Sequence, residues 1–175
     1  MRLTLETKRL LLRPWEVSDA QAMFDNWAND PEVTKHLTWT PHEDVSVTKA
    51  KLEEWVSRYD QPERIKFAIV LKEENKLIGD IGVVGYLDDG MPVIGYASSR
   101  AYWGHGYMTE ACMKVLELLK SLGHKVARID AEVDNIGSNR VIQKCGGVFY
   151  ELGLEDWPNR NEPVQVNRYL VDLTK

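Results

Sequence analysis

An α/β (α+β) domain, one mixed sheet with helices on both faces, is the fold class this sequence predicts, and three observations carry it. Segments of strand and helix pattern follow in the order strand, two or three helices, three strands, helix, strand, helix, two strands. One of those strands runs into a helix through a glycine pair, Gly104 and Gly106. No repeat, low-complexity stretch or linker divides the 175 residues, a length that suits one domain over 1–175 with its own core.

The elements follow from local pattern. Leu10, Leu11 and Leu12 read as a first strand, stopped by Pro14. Ser18 is positioned to cap a helix reaching about Asn29, with Asp19 in its first turn and Ala20, Met23, Phe24 and Trp27 at helical spacing. Pro31 restarts a short helix toward Leu37, and a loop follows through His42. Ser46 opens another helix to about Tyr59, with Val47, Ala50, Leu52, Trp55 and Val56 as its apolar face. Strands at 66–71 and 77–84 flank the turn Glu73-Glu74-Asn75, and Asp88-Asp89-Gly90 turns into a strand at 93–98. A helix from about 107 to 122 stops at Gly123. A strand at 126–133, a helix at 136–144 and strands near 148–154 and 164–173 complete the chain, the last two joined by a loop rich in Trp, Pro and Asn.

Composition excludes several classes. Apolar residues make up 43% and charged residues 28%, with a net charge of −5. Basic residues are scattered, so no nucleic-acid footprint is expected. Neither a signal core nor an apolar run of membrane-spanning length is present, and the two cysteines, Cys112 and Cys145, do not make a disulfide framework. A cytoplasmic protein without membrane partners is the expectation. The histidines at 36, 42, 105 and 124 are dispersed without metal-ligand spacing, so no metal is expected.

The most informative segment is Trp103-Gly104-His105-Gly106-Tyr107-Met108-Thr109-Glu110-Ala111. Glycines one residue apart allow a tight turn and close backbone approach to a ligand. The helix start supplies unpaired N–H groups and the positive end of its dipole, which together suit a pyrophosphate. A plain strand-to-helix turn would use the same residues. The segment is not a Walker A loop, because no Gly-Lys-Ser/Thr follows, and it lacks the third glycine of a dinucleotide fingerprint.

Taken with Ile94-Gly95-Tyr96 before it, this segment resembles the acyl-CoA motif of the GNAT acetyltransferases, in the RimJ/RimL-like branch that acetylates ribosomal-protein N-termini and small amines. Residues 7–14 resemble the branch's opening strand, 76–82 its central hairpin and 135–146 its second CoA-side motif, so the likeness runs through nearly the whole chain in order. Two departures stand out: Met108 where a small residue is usual, and Gly146-Gly147-Val148-Phe149 where the family has Gly-Phe.

The resemblance implies a mixed, mostly antiparallel sheet splayed at the acetyl-CoA site. It also implies transfer of an acetyl group from acetyl-CoA to an amine, a protein N-terminus or a small molecule, in a ternary complex. Tyr96, Ala97 and Ser98 would then bond pantetheine through their backbone, one N–H polarising the thioester carbonyl. Trp103, Gly104, His105, Gly106, Tyr107, Met108 and Thr109 would hold the phosphates. Asn135 would bond pantetheine, and Ser138 would assist the leaving thiolate; the same pair also reads as a helix N-cap and its first turn. Dimers are common in this branch.

The strand at 126–133 alternates, with Ala127, Ile129, Ala131 and Val133 on one face and Arg128, Asp130 and Glu132 on the other. The resemblance turns the charged face toward the acceptor. A base is useful there, since freeing a lysine-type amine at neutral pH costs roughly 4–5 kcal/mol and an N-terminal amine roughly 1 kcal/mol. Asp130 matches a catalytic glutamate of some relatives, and Glu132 lies one pleat nearer Asn135; the alternative is a set of solvated charges paired with Arg128. Trp39 and Trp157 lie on loops that flank the acceptor channel in relatives, where they would line the substrate site or simply anchor the loops. A non-catalytic acyl-CoA-binding module would share the turn but need no base.

Overall fold

The computed structural model describes residues 2–175. Eight strands form one sheet: β1 (Leu5–Glu6), β2 (Leu10–Arg13), β3 (Lys66–Leu71), β4 (Lys76–Tyr86), β5 (Pro92–Ser98), β6 (Val126–Glu132), β7 (Val148–Glu155) and β8 (Val164–Asp172). Their spatial order is β1-β2-β3-β4-β5-β6-β8-β7, and only the β5–β6 pair is parallel. The helices are α1 (Ala20–Met23), α2 (Pro31–Thr34), α3 (Val45–Ser57), α4 (Tyr107–Ser121) and α5 (Ile136–Lys144). α4 and α5 pack on one face through Cys112, Val115, Leu119, Ile142 and Cys145. α1 and α3 cover the other face around Trp15, Met23, Trp27 and Leu52. Each face removes a separate apolar set from water, so the sheet is buried on both sides, as the mixed-sheet expectation requires.

Two helix starts differ from the sequence reading. Ser18 caps nothing; a reciprocal pair of bonds between Glu16 and Asp19 closes the entry, and Arg13 clamps Asp19 at 2.8 Å. The chain then winds through a short 3-10 turn, α1 and a π-wound segment, Phe24–Ala28, instead of one regular helix. α3 is capped by Asp44, whose carboxylate accepts from the Ser46 N–H at 2.7 Å. Within α3, Val47 is exposed while Thr48 is buried against His42, so tertiary contact rotates the face that pattern alone suggested. The two-residue β1 was not foreseen.

The feature that positions the site is the β5–β6 junction. The strands pair only at Val93–Arg128 and Ile94–Ile129, then part. Each keeps its own antiparallel partner: β5 follows β4 from Gly79 to Tyr86, and β6 follows β8 along its whole length. With both flanks held and the sheet twisting, the two strand ends diverge and leave a wedge open toward α4 and α5.

Candidate active site

The wedge opens into a cleft of about 550 Å³, within the size range of ligand sites. Its donor side is built from backbone. The Ser99 N–H donates to the Ile78 carbonyl of β4 at 2.8 Å. By strand alternation Ala97 also turns its backbone groups to β4, whereas Tyr96 and Ser98 turn theirs into the wedge. Of the three backbone positions expected to bond pantetheine, Tyr96 and Ser98 therefore face the gap, and Ala97 is committed to the sheet. The Trp103 indole N–H donates to the Ser98 carbonyl at 3.0 Å and ties the turn to the end of β5.

Gly104 and Gly106 both have φ of +78°, a left-handed backbone that costs side-chain-bearing residues about 1–2 kcal/mol. This explains glycine at both positions. α4 starts at once, and its first hydrogen bond, Glu110 N–H to Gly106 O at 3.0 Å, leaves the N–H groups of Tyr107, Met108 and Thr109 without partners in the helix. Trp103, Gly104, Gly106, Tyr107, Met108 and Thr109 all line the cleft. His105 does not. Its ring bonds the Trp103 carbonyl at 2.8 Å and stacks on Tyr107 with an interplanar angle of 10°.

The turn is braced from a distance. Glu110 accepts from the Thr7 hydroxyl at 2.6 Å, the Arg9 N–H at 2.9 Å and the Arg9 Nε at 2.7 Å. Arg9 also donates to the His105 carbonyl at 2.9 Å and lies 4.4 Å over the Tyr107 ring. Burial works against the Glu110 charge, but the Thr7 and Arg9 bonds outweigh it and hold the carboxyl below its ordinary range.

On the far wall Asn135 and Ser138 face the cleft at the start of α5. Asn135 caps the helix by accepting from the Ser138 N–H at 3.1 Å, so the capping role is real. The Ser138 hydroxyl lies 2.8 Å from the Tyr96 hydroxyl, which the sequence reading had used only for its backbone. Burial pushes the Tyr96 phenol well up from its ordinary value against the opposing Ser138 bond, so it stays a neutral donor. The walls also carry Arg140 and Lys144, cations suited to phosphate, and Lys35 beside His36. Arg140 and Lys144 sit four residues apart on α5, a spacing visible in the sequence but not used.

The two strand carboxylates have different settings. Asp130 accepts from Arg128 through Nε at 2.8 and 3.0 Å and Nη2 at 2.5 Å, and Arg128 also reaches Glu155 at 3.2 Å. Glu132 pairs with His36 Nδ1 at 2.5 Å, with Arg160 at 3.9 Å. His36, passed over in the sequence as one of four scattered histidines, lines the cleft, and neither carboxylate does.

The tryptophans expected at the acceptor site do not line the cleft either. Trp157 is 9% exposed and packs with Val164 and Val166. Trp39 lies beside His42, its ring centroid 5.0 Å away, against the core around Trp15 and Trp27. Burial of the Trp157 ring takes its apolar surface out of water, and Trp39 is half-buried. Among the described residues no cluster of His, Cys, Asp or Glu could hold a metal ion.

A parallel strand pair that parts over a glycine turn, with a helix N-terminus on one wall and a paired hydroxyl on the other, defines a class of group-transfer domains that bind a phosphate-bearing acyl carrier. The family is then direct to state. A family model described as an acetyltransferase (GNAT) domain matches residues 9–148. The p20 protein of Bacillus licheniformis, described as an uncharacterized N-acetyltransferase, is 35% identical over 134 residues, covering 75% of this chain and 73% of its own. Among solved structures, the microcin C7 self-immunity acetyltransferase MccE, in complex with acetyl-CoA and AMP, superposes with a TM-score of 0.85 at 18% identity over 95% of this chain and 93% of its own. The ribosomal alpha-N-protein acetyltransferase RimL does so with a TM-score of 0.82 at 17% identity, covering 98% and 95%. The chain belongs to the GNAT acetyltransferase family.

Proposed function

We propose that the protein transfers the acetyl group of acetyl-CoA to a primary amine, by direct attack within the cleft. One observation carries the reading: the hydroxyl of Tyr96, a residue of β5, and that of Ser138 on α5 lie 2.8 Å apart on the lining of the cleft that opens where β5 leaves β6. The residues present fit the donor. The two left-handed glycines let the backbone approach a pyrophosphate, the free N–H groups at the start of α4 bind it, and Arg140 and Lys144 add charge. The Tyr96 and Ser98 N–H groups of β5 are positioned to bond pantetheine and to polarise the thioester carbonyl, which raises the electrophilicity of its carbon. Asn135 holds the start of α5 in place, and Ser138, backed by neutral Tyr96, donates a proton to the departing sulfur. A non-catalytic acyl-CoA-binding module would need the cradle but not this donor pair.

For the acceptor we favour the RimJ/RimL-like reading, an amine at a protein N-terminus or on a small molecule, supported by the fold shared with RimL. Free Cys112 and Cys145 support a reducing, cytoplasmic compartment, and no described helix is long and apolar enough to cross a membrane. A homodimer is supported by β7, the sheet's outer edge, which exposes Val148, Phe149, Leu152 and Leu154. The test of the activity is thiol release from acetyl-CoA with a panel of peptides bearing Ala, Ser or Met N-termini, and with spermidine. Turnover with one class names the acceptor. Tight acetyl-CoA binding without turnover across the panel would favour the binding module, and absence of acetyl-CoA binding would end the proposal.

A further inference from the structure

From the geometry on the acceptor side we infer that His36, held by Glu132, is the base that takes the proton from the acceptor amine; the inference rests on the transferase reading above. His36 lies just beyond α2, and its ring Nδ1 is 2.5 Å from Glu132 Oε2 at the end of β6. A carboxylate only accepts, so Nδ1 carries the hydrogen in the neutral ring. That fixes the tautomer and leaves Nε2 with its lone pair free to accept. The carboxylate–imidazole arrangement holds the ring in one orientation.

The backbone on each side of the ring is fixed as well. Arg160 donates to the Lys35 carbonyl, and Asn159 donates to the Leu37 carbonyl at 2.9 Å. Both donors come from the β7–β8 loop, which buried Trp157 pins to Val164 and Val166. The histidine is thus held at its ring, and the residues on either side of it through their carbonyls, by groups 96 to 125 positions away in sequence. A surface histidine with no task would not need three such restraints.

His36 lines the same cleft as Tyr96 and Ser138, whereas Glu132 lines a separate, outer groove of about 540 Å³ with Arg160 and Glu162. Glu132 Oε2 already accepts from the ring. Glu132 is therefore a positioning residue, and Nε2 is the group placed to meet the acceptor. The proton balance closes on these groups. An ammonium acceptor gives one proton to His36 Nε2, which passes it to water. The freed amine forms the C–N bond as the C–S bond breaks, and the remaining surplus proton on nitrogen reaches the thiolate through the Ser138 and Tyr96 hydroxyls. One proton is released per acetyl group transferred.

Charged groups around His36 are Glu132 from β6, Arg160 from the β7–β8 loop, and Lys35 and Glu32 beside it on the cleft wall. The test compares wild type, His36→Ala, His36→Gln and Glu132→Gln for kcat, KM, acetyl-CoA Kd and pH profile with the best acceptor. Loss of a general base predicts a fall in kcat of about 10²-fold in both histidine variants, with acetyl-CoA Kd within about twofold of wild type. It also predicts loss of the acid limb of kcat/KM, and partial recovery of His36→Ala on adding imidazole. Glu132→Gln should lower kcat about 10-fold, leave the acceptor KM within about twofold and keep the limb that the histidine variants lose. A kcat for His36→Ala within about threefold of wild type would overturn the assignment and leave the transferase reading standing. So would a larger loss in Glu132→Gln than in His36→Ala, which would make the carboxylate the base. ¹⁵N spectra of the free protein test the tautomer without any acceptor: a hydrogen on Nδ1 is expected, and neutral His36 with its hydrogen on Nε2 would refute the arrangement.

Discussion

The two walls of the cleft, which the proposal gives to donor and acceptor, are built by different means. The donor wall is backbone: two left-handed glycines, the first N–H groups of α4 and the open edge of β5, with most of its residues falling between 94 and 109. The wall proposed for the acceptor is side chain, and its pieces come from the segment after α2, from β6 and from the β7–β8 loop, joined by His36–Glu132, Asn159–Leu37 and Arg160–Lys35 bonds. A backbone cradle tolerates change in most side chains, because the ligand reads N–H groups common to every residue except proline. A side-chain wall can change its acceptor by changing a few residues, so the difference separates a fixed donor from a variable acceptor.

Four experiments would break or sharpen that contrast. The largest effect is expected where the walls meet. Replacing both hydroxyls, Tyr96→Phe with Ser138→Ala, should lower kcat by about 10²-fold while leaving acetyl-CoA Kd nearly unchanged, since a proton donor acts in the transition state. Each single variant should lose less, because the other hydroxyl remains. Steady-state kinetics beside calorimetric binding would show it, and an equal rise in Kd would mean that the pair only binds.

Next comes the donor cradle. Gly106→Val places a branched side chain at φ +78°, where the nearest outside atom, Arg9 Nη2, would be 3.5 Å from its Cβ. The cost is backbone strain, about 1–2 kcal/mol or more, so acetyl-CoA Kd should rise at least about 10-fold. The acceptor KM, measured at saturating donor, should move little. Similar loss on both sides would deny the separation of the walls.

The third test sets the neighbouring carboxylates against each other. Asp130→Asn should change kcat by less than about threefold, because Asp130 serves Arg128, and stability should fall by about 1 kcal/mol in urea titration. A loss in kcat matching that of Glu132→Gln would restore Asp130 as a candidate base.

The smallest effect concerns the brace behind the turn. Glu110 titrates below its ordinary value of 4.5, so its bonds to Thr7 and Arg9 stabilise the fold fully above that value. The stabilisation is lost as pH falls through the lower folded-state value. Glu110→Gln should therefore lower Tm near neutral pH and flatten the fall in Tm below about 4.5. Thermal scans across that window would detect it, and an unchanged slope would remove Glu110 from the acid response.

Residue by residue, legibility follows contact distance in sequence. Gly104 and Gly106 could be read because their conformational demand is local and leaves glycine as its trace. The strand at 126–132 could be read because buried Ala127, Ile129 and Ala131 alternate with partly exposed charges. Asn135 and Ser138 were visible as a helix start. The Glu16–Asp19 entry was missed because more than one polar residue there can cap, and geometry chooses. Trp39 and Trp157 were open to two roles because a large ring serves a loop anchor and a binding wall equally well.

The sequence by itself therefore determined the layered α/β order, the glycine turn before α4 and the starts of α4 and α5, since each depends on residues a few positions apart and on backbone preferences they impose. Only the tertiary structure decided which of Asp130 and Glu132 touches a cleft residue, that Tyr96 turns its hydroxyl to Ser138, and that His36 lines the cleft. Those outcomes depend on bonds between residues 42 and 96 positions apart. No local preference encodes such pairs; they form when burial of the two sheet faces brings their elements together.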